Sequence, residues 1–173
     1  MDIYRYQPSE QADWILLQWH REVLDSGEFP KVLGEVLQLP SQFFNFFLKR
    51  PLFVTLNSYG NINRAGWFEG FMRGTFMGIW VSKSERKLTR ENLRFWDRLL
   101  QFGFESHLAV LGAIQERPTP EETEKFIALH VKFGYKLSGS IDHIFDGKRT
   151  HFVVAYKDTW LQARQKYAKI LGE

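Results

Sequence analysis

Five histidines are the side chains best able to move a proton near neutral pH: His20, His107, His130, His143 and His151. No two of them have the i, i+4 spacing that sets two imidazoles on one helix face, and none stands in a carboxylate-flanked metal motif. His143 and His151 flank a predicted hairpin turn. There they would face each other as a cross-strand polar pair, in preference to a zinc site. Cysteine is absent, which removes thiolate ligands, thiol nucleophiles and disulfides and fits a reducing compartment such as the cytoplasm. Ser82, Ser84, Ser106 and Ser138 lack nucleophile-elbow surroundings, so a hydrolase triad has no support. Glu69 and Glu116 stand near strand ends, where a carboxylate is ordinarily a solvated charge.

Two clusters remain. Lys83, Arg86, Lys87, Arg90, Arg94 and Arg98 form the densest basic stretch, diluted by Glu85, Glu91 and Asp97. It reads first as a solvated helix face with i, i+4 ion pairs and second as a phosphate contact. Phe43, Phe44, Phe46 and Phe47 form the densest aromatic cluster. A helix over 41–49 would put Phe43, Phe44, Phe47 and Leu48 on one face and turn Phe46 outward, toward a protein partner or a second copy of the chain.

These groups need a scaffold, and 173 residues suit one domain over 1–173. The formal charge of +3 disfavours a charge-driven nucleic-acid binder. Hydrophobic residues at 44% and charged ones at 25% are ordinary for a globular chain, whereas 16 Phe, 6 Trp and 6 Tyr are not. The N-terminal residues lack the basic and apolar regions of a signal peptide. The longest uncharged run, over 36–48, is too short and polar to span a membrane.

Along the chain, 2–6 reads as a short strand. Ser9 caps a helix whose inward stripe is Ile15, Leu16, Trp19 and Val23. Extended chain over 28–30, a short helix over 31–39 and the helix over 41–49 follow. Strands are expected at 52–58, 67–73 and 75–82. A helix begins near Thr89, with Leu93, Trp96, Leu99 and Leu100 facing inward. Residues 107–115 read as a strand covered on both faces. Thr119, Pro120 and Glu122 mark a helix start with a capping box, and that helix runs to about Phe133 with Gly134 as its stop. Residues 135–145 and 150–156 flank the Asp146-Gly147-Lys148 turn. A last helix occupies 159–171.

The residues Phe126-Ile127-Ala128-Leu129-His130-Val131-Lys132-Phe133-Gly134-Tyr135, with Gly139 following, resemble the A-I-x-L-Y-x-K-x-G-F signature of the GCN5-related N-acetyltransferase (GNAT) superfamily. The element order resembles it too. The resemblance implies an α/β fold with a mixed, mostly antiparallel twisted sheet, a central parallel pair and helices on both faces. It implies transfer of an acyl group from acetyl-CoA or another acyl-CoA to an amine, with no metal. By the same resemblance, Trp80, Val81, Ser82, Arg86, Lys87, Leu88 and Thr89 would hold the cofactor, and His130 would stand where many members place the tyrosine that protonates the departing thiolate. The pyrophosphate stretch here has no glycine, so its amides are not free of Cβ atoms as in the usual cradle. A second reading follows from that change and from His130. In it the chain is an inactive GNAT-fold protein acting through protein contacts, as in bacteriophage virion or head assembly.

Overall fold

The computed structural model describes residues 2–26, 38–71, 74–81, 89–106, 108–145 and 147–172. Contacts divide the chain into two compact units, Met1–Phe68 with Ile79–Lys87 and Glu69–Gly78 with Leu88–Glu173.

In the first unit Ser9 does cap a helix. Its Oγ accepts from the Ala12 amide at 3.2 Å, and α1 runs Glu10–Ser26. Its inward stripe is Leu16, Trp19 and Val23, at most 3% exposed, with Ile15 only partly covered. Pro40 occupies the first turn of α2 (Pro40–Leu48), where its missing N–H costs nothing. The expected face of α2 requires correction. Phe43, Phe46 and Phe47 are buried, Phe44 is half-buried and Leu48 is 54% exposed. At 100° per residue Phe43 and Phe47 share an arc of equal width with either Phe46 or Phe44, and the contact with Trp67 selects Phe46. Phe46 packs edge-on against Phe47 and Trp67, with the Arg50 guanidinium 3.8 Å from its ring centre. The rings expected to meet a partner are mostly core. The expected helix over 31–39 lies largely outside the described residues.

The α1 and α2 stripes cover one face of an antiparallel ladder: β1 (Tyr4–Arg5) beside β2 (Leu52–Leu56), and β2 beside β3 (Ile62–Phe71). The β3 strand starts five residues before its expected position, because the β2–β3 turn is tight. Asn57 Oδ1 accepts from the amides of Tyr59 and Asn61, and Gly60 takes a positive φ of 81°.

The strand β4 (Gly74–Val81), whose residues 74–78 belong to the second unit, pairs there in parallel with β5 (Ala109–Gln115), at Thr75↔Val110 and Phe76↔Leu111. A parallel pair requires a crossover, and α3 (Arg90–Ser106) supplies it. The β5 strand pairs antiparallel with β7 (Lys148–Tyr156), and β7 with β6 (Tyr135–Phe145). Helix α4 (Pro120–Lys132) joins β5 to β6, and α5 (Lys157–Leu171) follows β7. The β5 burial alternates: Val110 and Ile114 are buried, whereas Leu111, Ala113 and Gln115 are half-covered. Full cover on both faces was the expectation, and the alternation corrects it. The β6–β7 register also separates the two histidines expected to face each other. His151 pairs with Ser140, whose hydroxyl lies 2.7 Å from His151 Nδ1.

Gly134 shows why the α4–β6 junction carries glycine. Its φ is +88°, and a Cβ there would lie 2.6 Å from the Thr159 carbonyl oxygen and 2.7 Å from the Trp160 Cα. Both obstacles are backbone of α5. Gly134→Ala is expected to cost about 2 kcal/mol, from the left-handed conformation plus the forced shift, read as a lower urea midpoint.

Candidate functional site

Helix α4 starts at the expected Thr119 cap and Pro120, with only the Thr119 half of the expected capping box. Thr119 Oγ1 accepts from the Glu122 amide at 3.3 Å, and Pro120 opens the first turn. The Arg117 amide is taken up by Thr123 Oγ1 at 2.9 Å. Near the other end of the helix, His130 is 6% exposed. Its Nδ1 is 2.8 Å from the Phe126 carbonyl oxygen. A carbonyl oxygen only accepts, so Nδ1 carries the proton and Nε2 holds a lone pair. Three rings enclose the imidazole, with centroids at 4.5 Å for Trp96, 4.8 Å for Phe126 and 5.4 Å for Tyr135.

Burial pushes the His130 pKa down to about 4; the Phe126 carbonyl opposes that and the positive charge of Arg117 adds to it. At neutral pH the ring is uncharged, and its one N–H proton is committed to Phe126. Such a ring is a packing group before it is a proton donor. Beside it, Trp96 Nε1 and the Tyr135 hydroxyl are buried together, too poorly aligned for a full hydrogen bond, though the Trp96 N–H opposes part of the effect of burial on Tyr135. Burial raises the Tyr135 pKa, so its phenol stays protonated.

The expected cofactor residues fall in two places. Trp80 and Val81 are the last residues of β4. Thr89 caps α3, its Oγ1 accepting from the Asn92 amide at 3.2 Å. Ser82, Arg86, Lys87 and Leu88 lie outside the described residues. The basic stretch is not simply a solvated face. Arg94 donates from Nε and Nη2 to the Leu171 carbonyl, at 2.8 and 2.6 Å, and the Arg90 guanidinium lies against Gly172. Arg98 meets Gln101 Oε1 at 2.5 Å. Glu116 is exposed at the end of β5, as a solvated strand-end charge would be.

A buried node went unread in the sequence. Asp97 on α3 is 4% exposed and accepts from three α5 side chains: Trp160 Nε1 at 3.2 Å, Arg164 Nε at 3.0 Å and the Tyr167 hydroxyl at 2.8 Å. The signal was available. Trp160, Arg164 and Tyr167 stand at i, i+4 and i+7, so three donors share one helix face opposite a lone acid in an apolar stripe. Among the described residues no cluster of three or more metal-ligating side chains occurs, and no helix is long and apolar enough to cross a membrane.

No protein-family model and no curated protein matches this sequence. Solved structures do. A variant of the spermidine N-acetyltransferase of Vibrio cholerae superposes with a TM-score of 0.69, at 9% identity, over 93% of this chain and 98% of its own. The ribosomal-protein-alanine N-acetyltransferase of Brucella melitensis gives 0.68 at 14% identity, over 90% and 99%. An N-acetyltransferase of Staphylococcus aureus gives 0.64 at 15%, over 90% and 99%. The likeness runs through both units and is one of fold: a mixed α/β architecture of the GNAT type, as the motif around Gly134 implied.

Proposed function

We propose that this chain is an acyl-CoA-dependent N-acyltransferase. The observation that carries the reading is the near-full-length match to N-acetyltransferases, together with a parallel β4–β5 pair joined through α3. On this reading 1–173 is a single GNAT-like domain, and no protein partner or second copy is required. The cofactor, when bound, supplies an acyl group activated as a thioester for attack by an amine.

The residues at the start of α3 fit an anionic cofactor in part. The helix begins at Arg90 behind a Thr89 cap, so its first-turn amides carry partial positive charge. The preceding stretch would add Arg86 and Lys87 as point charges in place of a glycine cradle. The ends of β4, Trp80 and Val81, would offer backbone groups to the pantetheine arm. His130 enters as a positioning residue: neutral, and fixed to Phe126. It orders the aromatic wall at the end of α4 and leaves the departing thiolate to take its proton from solvent or from the acceptor amine.

Isothermal titration with acetyl-CoA tests the reading. Saturable heat is expected. Arg86→Ala with Lys87→Ala is expected to weaken binding about tenfold, the worth of a charge-assisted phosphate contact or two. No heat at millimolar cofactor would overturn the proposal. The buried, neutral His130 and the glycine-free loop would then favour the inactive reading, a GNAT-fold protein that works through protein contacts, with virion or head assembly as one setting.

A further inference from the structure

The first unit holds a cavity of about 290 Å³, and none of its described lining residues is assigned to acyl transfer. Its origin is visible in the strand lengths. The β1 strand is two residues long and pairs only at Tyr4↔Val54 and Arg5↔Phe53. The β2–β3 ladder runs on to Leu56↔Ile62, past the last β1 pairing on the β2 edge. The N-terminal segment then leaves the ladder to enter α1. The space left under that segment has Ile15, Leu52, Leu56 and Ile62 as its apolar floor.

Among the described lining residues Arg5 is the one ionised side chain, and none of them carries a carboxylate. The Asp13 carboxylate on α1 accepts instead from the hydroxyl of Tyr6, a lining residue, at 2.5 Å. That bond fixes the Tyr6 wall of the cavity and commits the nearby acid. An aliphatic floor with a few polar groups at one end is the ordinary make-up of a small-molecule site, and the volume lies at the small end of that range.

We propose that this cavity binds a small amphipathic carboxylic acid, with its apolar body on the Leu56–Ile62 floor and its carboxylate at Arg5. The ligand would have on the order of ten to fifteen non-hydrogen atoms. The site is independent of the acyltransferase reading and stands or falls without it.

Methyl NMR of the full chain tests the proposal, with sodium octanoate as the probe and octylamine and octanol as controls. Octanoate is expected to give saturable shifts at the methyls of Ile15, Leu52, Leu56 and Ile62, while Val110 and Val153 in the second unit stay still. Octylamine and octanol are expected to bind about fivefold more weakly, the worth of one exposed charge pair, and Arg5→Gln should erase that preference. Leu56→Trp fills the cavity and should abolish the shifts. Should that variant fail to fold, Ala12→Met narrows the same space from the half-covered side of α1. Absence of saturable shifts at millimolar octanoate would overturn the proposal. So would equal affinity for octylamine, or octanoate shifts that survive the filling variant.

Discussion

Replacing Asp97 with alanine is expected to lower stability by about 3–5 kcal/mol, because it strips one acceptor from three donors at once. Asp97 is 4% exposed, and every donor it serves comes from α5. Without it, the Trp160 and Tyr167 donors are buried and unmatched, and the partly exposed Arg164 guanidinium loses its counter-charge. Tyr167 cannot compensate by ionising. Burial first, and then the bond and charge of Asp97, hold its phenol in the protonated, donating form. Asp97→Asn separates shape from charge. It keeps an acceptor for Trp160 and Tyr167 but turns an NH2 donor toward the Arg164 Nε–H, so the ion pair and that hydrogen bond are lost, for an expected cost of about 1–2 kcal/mol. Urea unfolding measures both variants, with the denaturant slope unchanged if only the native state is affected. A loss under about 1 kcal/mol for the alanine variant would mean that α5 is held by packing alone. That packing is considerable: Trp160 meets Phe104 at 5.3 Å and Tyr167 meets Phe133 at 4.7 Å between ring centroids.

The same node shows what a sequence reveals and what it hides. Elements with their own punctuation were legible. Thr119-Pro120 and Gly134 bracket α4 because caps and stops are local chemistry. The motif around Gly134 pointed to the fold because that glycine meets a backbone contact no other residue tolerates. Faces were harder to read. The α2 sequence allowed two stripes through four phenylalanines, both containing Phe43 and Phe47, and only the neighbour across the gap, Trp67, decides for Phe46 over Phe44. Long-range pairs were hidden. The Arg94 bond to the Leu171 carbonyl spans 77 residues, and no local pattern marks it. The β6–β7 register was hidden as well. A shift between Leu137 and Gly139 sets Ser140 opposite His151, and so undoes the expected histidine pair.

His130 carries the other large expectation, which concerns acid. Its pKa is about 4 in the folded chain, against 6.5 for an ordinary histidine. Below pH 6.5 the unfolded chain therefore takes up a proton that the folded chain refuses. More protons bound in the unfolded state mean that stability falls as pH falls, so the loss runs from about pH 6.5 down to about pH 4 and then levels off. Its full size is about 3 kcal/mol. His130→Asn tests the cause, since an asparagine amide can still donate toward the Phe126 carbonyl but cannot titrate. Urea midpoints of both proteins across pH 4.5–7.5 should diverge in favour of the variant as the solution becomes acidic. Parallel curves would show that His130 is not held neutral. The result also bears on catalysis. A ring that stays neutral down to about pH 4 has no proton to lose near neutrality, so acyl transfer should show no alkaline limb there in wild type that the variant lacks. An alkaline limb near pH 6.5, with activity falling as the ring loses its proton, that disappears in His130→Asn would instead mean that bound substrate relieves the burial of the ring, and His130 would then be the thiolate's proton donor after all.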